Sequence, residues 1–334
     1  MAERRGVGYE QVGSDYMEKR ELKRGAAGWV LLAGLGVAYV ISGDFAGWNF
    51  GLAEGGWGGL LIATILMATM YTCMVFGLAE LSSTISTAGG GYGFARRALG
   101  PWGGFLTGTA ILIEYAIAPA AIVVFIGGYV ESLDIFGITT GWPVYLVFYA
   151  IFVGVHLVGV GEALKVMFVI TAIAVVALLA FAIGMIGDFD SGNLTNIPPD
   201  EGKAGSSDFL PFGYAGIWAA FPFAIWFFLA VEGVPLAAEE TRDPKRDMPR
   251  GLIAAMMILL VFAALMMLAG PGGGGSQAIM ESDNPLPAAI DAAKGEGSTV
   301  GDFVNYVGLA GLIASFFSII FAYSRQLFSL SRAG

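Results

Sequence analysis

Two stretches of this 334-residue chain place acids where acids are rare. The run Val40-Ile41-Ser42-Gly43-Asp44-Phe45-Ala46-Gly47-Trp48-Asn49-Phe50-Gly51 sets a carboxylate, an amide and glycines inside an apolar segment. The run Ala224-Ile225-Trp226-Phe227-Phe228-Leu229-Ala230-Val231-Glu232-Gly233-Val234-Pro235 does the same with an acid, a glycine and a proline. A carboxylate in such surroundings draws a cation or a proton, and acids within membrane segments are functional candidates by default. Glycine lowers helix propensity by about 1 kcal/mol relative to alanine, and proline removes a backbone donor. Both runs therefore read as interrupted helices, which membranes tolerate only where the freed backbone faces protein or a wet cavity. Glu114 is a third acid in an apolar segment and reads first as a support of the bundle. His156 and Cys73, the only residues of their kinds, read as core. With one His, one Cys and no nucleophile or metal-ligand constellation, the sequence offers no catalytic residues, no metal site and no cofactor.

The elements that must position these acids are membrane helices. Hydrophobic residues make up 56 % of the chain and charged ones 13 %, with mean hydropathy +0.73, which calls for a bilayer as solvent. About 20 apolar residues cross the hydrocarbon, and that length predicts eight spans: 28–52, 58–81, 102–130, 142–160, 163–186, 212–237, 252–270 and 303–323. All of the 17 basic residues except Lys203 and Lys294 then fall on one side. The positive-inside rule makes that side the cytoplasm and places the N-terminus there, in the inner or plasma membrane. Residues 1–27 read as a cytoplasmic tail, since they lack the short apolar core of a signal peptide. The outer loops collect Asp188, Asp190, Asp200, Glu201, Asp208, Glu281, Asp283, Asp291, Glu296 and Asp302. The net charge of -10 thus describes one face of a membrane protein, and nucleic acid is not a partner it implies. The run Gly272–Gly275 reads as linker in an outer loop.

The starts of the two interrupted helices are five spans apart, so these helices cross the membrane in opposite directions. Corresponding broken helices in inverted halves point to a transporter's midplane site. The motifs in order resemble those of the amino acid, polyamine and organocation superfamily of transporters. Ser42-Gly43-Asp44-Phe45-Ala46-Gly47 is similar to its unwound first helix. Ala79-Glu80-Leu81, Gly89-Gly90-Gly91-Tyr92 and Arg96-Arg97-Ala98-Leu99-Gly100-Pro101 are similar to the loop after its second. Phe228 to Gly233 with Ala238 to Arg250 resembles the sixth helix and its exit, and Ser324-Arg325-Gln326-Leu327 with Ser331-Arg332-Ala333-Gly334 the segment after the eighth. The Ser-Gly-Asp motif and Gly161-Glu162-Ala163-Leu164-Lys165 resemble the ethanolamine permeases in particular.

The resemblance implies an all-α polytopic bundle of the inverted-repeat (LeuT-like) kind, with helices one and six broken, working by alternating access. The first repeat would cover 28–186, an extracellular loop 187–211, and spans six to eight in 212–334 an incomplete second repeat, as in a chain truncated before its ninth span. Relatives that carry amino acids cradle the substrate carboxylate on a Gly-Ser/Thr-Gly run, where this chain has Gly47-Trp48-Asn49. Trp48 blocks the same close approach, and Asp44 repels a carboxylate while attracting an ammonium group. A small organic amine follows, ethanolamine first. The implied binding residues are Ser42, Gly43, Asp44, Phe45, Gly47, Trp48, Trp226, Glu232 and Gly233. Trp226 precedes Glu232 by the spacing found in arginine/agmatine exchangers, and Phe45, Trp48 and Trp226 are candidates to wall an ammonium by cation–π contact. Asp44, Glu114 and Glu232 are the candidates for coupling or gating. A lysine that some proton-coupled relatives place midway along span five is replaced by Ile173-Ala174-Val175. An amino acid or polyamine permease, a channel and a non-transporting membrane fragment remain as alternatives.

Overall fold

The computed structural model describes residues 27–85, 89–134, 137–158, 161–295 and 297–332. The tail ahead of residue 27, the side chains at 161–165 with Lys165 among them, and those at 332–334 lie outside what is described. The described residues form a helical bundle. Six of its helices are long and apolar enough to cross a membrane: Phe50–Thr84, Gly90–Ser132, Val166–Asp188, Gly213–Glu240, Pro244–Gly274 and Thr299–Ser331. Two shorter apolar helices, Trp29–Val40 and Trp142–Val158, occupy the places of spans one and four. The protein is thus a multi-pass membrane protein, and its outward faces agree: Leu99, Trp102, Leu106, Ile117, Leu146 and Val158 are all well exposed. Apolar side chains shown on that scale suit lipid rather than water.

Span one does not run straight. Trp29–Val40 is followed by the single turn Ser42–Phe45 and by an unwound stretch up to Asn49. The chain then re-enters helix at Phe50 and swings at Gly56 (φ +65°) into span two. A similar swing at Gly100 (φ +78°) divides 90–99 from span three, which runs over 101–132 and carries Pro119 within it. Span six breaks as well. It is helical over Gly213–Ala224, tightens to a 3-10 turn at Ile225–Phe227, leaves helical geometry at Phe228–Ala230, and resumes as a 3-10 helix over Val231–Glu240. Runs of 3-10 helix beyond three or four residues are uncommon and mark strain or a hinge. The break thus falls just before Glu232-Gly233-Pro235, at Ala230, which sits in the left-handed region with φ +75°.

Span eight, Thr299–Arg332, is the central helix. Two-thirds of its most apolar window is buried, against 33–44 % for the other five long spans. It packs along spans three and five and meets the turn Ser42–Phe45. One reading from the sequence needs correction: Gly272–Gly274 is not linker but the buried last turn of Pro244–Gly274. Its glycines pass against Phe189, Met185 and Ala289, and a Cβ at any of the three positions would lie within 2.5 Å of these residues. Close contact between helices is the usual reason for glycine there.

Candidate functional site

The two breaks meet. A Cβ on Gly43 would lie 1.8 Å from the Trp226 carbonyl oxygen, so only glycine lets the turn Ser42–Phe45 approach the 3-10 turn of span six this closely. Gly47 has φ +98°, and a Cβ there would stand 3.1 Å from the Trp226 indole and 3.3 Å from the Phe125 ring. Trp226 therefore covers the residues one before and three after Asp44. Phe125, from span three, meets Trp226 edge to face at 5.6 Å between centroids.

Asp44 itself is 1 % exposed, and neither carboxylate oxygen has a hydrogen-bond partner among the described residues. An ionised carboxylate left so, out of water and unpaired, costs several kcal/mol. The backbone around it is well held. Tyr129 donates its hydroxyl hydrogen bond to the Phe45 carbonyl at 3.0 Å. Ser315 of span eight lies 2.9 Å from the Tyr39 carbonyl and 2.8 Å from the Ser42 hydroxyl. Asn49 holds the end of the unwound stretch, donating from Nδ2 to the carbonyls of Ile279 and Ser282 at 2.8 Å each, while its Oδ1 accepts from the Gly47 N–H at 3.1 Å.

Not every expected residue faces the same space. Phe45 is fully buried against Gly308 and Gly311 of span eight. Trp48 is also fully buried, stacked on Phe227 at 5.5 Å, near Gly270, with its Nε1 donating to the Asp44 carbonyl at 3.3 Å. Trp226 is only half-buried. Of the three aromatics, Trp226 is the one whose ring stands against Gly47, three residues after Asp44, while its backbone meets Gly43.

Glu232 and Gly233 sit beyond the break, against span three. Glu232 Oε1 accepts from the Tyr115 hydroxyl at 3.1 Å, and a Cβ on Gly233 would be 2.9 Å from that hydroxyl and 3.1 Å from the Tyr39 ring. Glu114, the neighbour of Tyr115, is the other buried acid close enough to Glu232 for the two carboxyls to act on each other. Glu114 Oε1 and Glu232 Oε2 meet no N–H or O–H of the described residues. His156 is distant from all this: its Nδ1 lies 2.7 Å from the Phe152 carbonyl and its ring packs on Phe317. The free Cys73, expected in the core, is instead exposed on span two, on a face whose apolar neighbours such as Met70 and Phe76 are exposed as well.

Tyr115, Phe125, Tyr129 and Ser315 were not picked out from the sequence. Their only sequence signal is the i, i+4 spacing of Phe125 and Tyr129, which puts two aromatic residues on one face of span three.

Relatives among known proteins agree with this architecture. An uncharacterized transporter of Rhizobium meliloti is 32 % identical over 302 residues, covering 89 % of this chain and 63 % of the relative. The branched-chain amino acid permease BcaP of Bacillus subtilis is 24 % identical over 336 residues, 95 % of this chain and 68 % of its own. The D-serine/D-alanine/glycine transporter of Escherichia coli K12 is 25 % identical over 259 residues, 72 % and 51 % of the two chains. The chain thus spans about half to two-thirds of the length of these relatives. Residues 29–334, which include both broken helices and every residue of the site, match the amino acid permease family, and the chain belongs to it.

Proposed function

We propose that this chain forms the substrate-holding part of a secondary active permease for a small organic amine, ethanolamine first, working by alternating access in the inner or plasma membrane with its N-terminus in the cytoplasm. The observation that carries the reading is Asp44: a carboxylate 1 % exposed, without a protein partner, at the meeting point of two broken helices. An ammonium group bound there supplies the missing charge and donors. The half-buried Trp226 beside it adds a cation–π contact worth about 2 kcal/mol when desolvated. The hydroxyl of ethanolamine would reach the polar groups freed by the break.

A second reading, an amino acid permease, is favoured by the names of relatives such as BcaP and the D-serine/D-alanine/glycine transporter. Two features weigh against it. The Gly47 N–H, in the run that would cradle a carboxylate, is already taken by Asn49 Oδ1. Asp44 stands three residues before it and would repel the same group. A diamine would need a second anionic locus, which Glu232 or Glu114 can offer. Competition against labelled ethanolamine uptake separates the three. We expect unlabelled ethanolamine to compete far better than alanine or putrescine, whereas strong competition by alanine with none by ethanolamine would replace the amine reading with the amino acid one.

A further inference from the structure

Two apolar grooves run side by side along span seven. The first, of about 330 Å³, lies between spans two and seven and is lined by Trp57, Thr64, Ala68, Phe228, Leu260 and Ala264 among others. The second, of about 380 Å³, lies between spans five and seven, with Leu179, Ile183, Met185, Phe189 and Ala269 in its walls. Leu268 belongs to both and is the ridge that parts them. Both grooves lie in the half of the bundle where spans five and seven end and span two begins, so they open within one leaflet. From Trp57 to Ala68 the first extends about 16 Å at 1.5 Å per residue, or roughly half the hydrocarbon thickness.

Ile65, Ile183, Val261 and Leu268 stand exposed at the rims. On the surface of spanning helices the surrounding medium is hydrocarbon, so a groove here is filled from the bilayer. Left empty, its walls forfeit their dispersion contacts. Trp57 gives the groove only its carbon face, because its Nε1 already donates to the Met267 carbonyl at 2.8 Å. Thr64 is the one other polar side chain in the two linings. It is 7 % exposed and its hydroxyl has no partner among the described residues; against a bare chain it can turn to the carbonyl four residues earlier in its own helix. The floors reach into the fold. Phe228, fully buried beneath Tyr71 at 5.7 Å, opens the stretch where span six leaves helical geometry. Met185 and Phe189 press on Gly273 and Gly272 at the end of span seven.

We propose that the two grooves seat the two acyl chains of one phospholipid from that leaflet, and that the chain against Phe228 holds the break of span six in its present geometry. Two grooves of similar volume, in one leaflet and parted by a single side chain, match two chains joined at one glycerol. An amphiphile with a single chain would fill one groove and leave the other open. The seat is a property of these helices and does not depend on which solute the protein carries.

The probe is dioleoylphosphatidylcholine, together with an analogue bearing a diazirine on its chain, in vesicles holding the full chain. Photolabelling is expected to favour 57–68, 179–189 and 260–269 about tenfold over 102–117 and 142–158, where apolar residues are just as exposed. Even labelling of all five stretches would mean ordinary boundary lipid and overturn the proposal. Native mass spectrometry after a detergent wash then weighs what stays bound. The wild type should keep one dioleoylphosphatidylcholine, and Ala264→Phe, which fills the first groove, at most about a tenth as much. Ala110→Phe adds the same ring at an exposed position of span three and should keep the lipid. Equal retention in all three, or displacement of the phospholipid by an equal concentration of oleic acid, which can bring an oxygen to Thr64, overturns the two-chain seat. Should Ala264→Phe fail to fold, the labelling map of the unaltered chain decides. Hydrogen–deuterium exchange tests the hold on the break: the lipid should slow exchange over 228–231 in the wild type by about tenfold and leave Ala264→Phe unchanged. No slowing in the wild type with lipid bound rejects that hold.

Discussion

At the scale of single residues, the proposed amine reading gives Asp44 and Trp226 different parts in holding an ammonium group, and their substitutions should then fail in different ways. Removing one member of a buried charge pair costs about 3–5 kcal/mol, so Asp44→Asn is expected to weaken the apparent affinity for ethanolamine a hundredfold or more. The amide occupies the same volume, so membrane insertion and thermal stability should survive. Trp226→Phe keeps an aromatic ring against Gly47 and should retain partial uptake, whereas Trp226→Ala should lose about 2 kcal/mol of binding. Concentration-dependent uptake measures both. Wild-type affinity in Asp44→Asn would remove the argument from charge, and equal transport in the two Trp226 variants would make that residue packing alone. The acid was visible in the sequence because nothing else explains a carboxylate in an apolar run. The separation of the aromatics was not: Phe45, Trp48 and Trp226 look alike as letters, and only the packing of the first on Gly308 and Gly311 and of the second on Phe227 sets them apart.

At the scale of elements, the break in span one is tied to the segment between spans seven and eight by one side chain. Asn49 uses all of its amide, giving two hydrogen bonds to Ile279 and Ser282 and taking one from Gly47. Asn49→Asp keeps the acceptor for Gly47 and loses both donors, while Asn49→Ala loses all three bonds. Each buried group left unsatisfied costs about 1–3 kcal/mol. Both variants should therefore release the loop, and only the alanine should also loosen the turn at Gly47. Hydrogen–deuterium exchange checks this: faster exchange over 279–284 in both variants, with faster exchange over 46–49 in the alanine alone. Protection unchanged over 279–284 would mean the loop is held without Asn49. The first break was legible, because glycines flank an acid there. The second was legible only approximately. Sequence signals centre it on Glu232, Gly233 and Pro235, yet the chain turns at Ala230, where a left-handed conformation costs an alanine roughly 1–2 kcal/mol and no residue type announces it. Span three was opaque for another reason. A helix apolar on all sides has no polar face from which its inner surface can be read, so Tyr115 and Phe125 could not be told from residues that meet lipid.

At the scale of the whole molecule, the segment between spans seven and eight, on the side proposed as the outer one, packs over that end of the bundle, and its hold should depend on pH. The segment is fixed at three places. Asn49 grips its first turn, Lys294 pairs with Asp188 after span five, and Asp283 presses against Gly128 of span three, where a Cβ would come within 2.7 Å of it. Burial, and then the nearby charge of Glu131, push the Asp283 carboxyl above its ordinary range. The docked segment therefore prefers Asp283 protonated, and undocking returns it to water at about the ordinary 3.9. For an acid raised in this way the docked form binds more protons than the undocked one. Its stabilisation is complete below the ordinary value and is lost as pH rises through the raised one. Higher pH should thus loosen the outer closure, by up to about tenfold in open population for each unit by which the docked value is raised. A cysteine at Leu286, fully buried in the docked segment, reports this when Cys73 is first replaced by serine. Its labelling by a membrane-impermeant thiol reagent, corrected with a cysteine at the exposed Glu281 for the reagent's own pH response, should rise with pH. Asp283→Asn should flatten the corrected curve and hold it at the low-pH level, because the amide stays neutral throughout. Corrected labelling of Leu286→Cys that falls with pH, or that rises equally in the Asp283→Asn variant, would show that the closure answers to some other group.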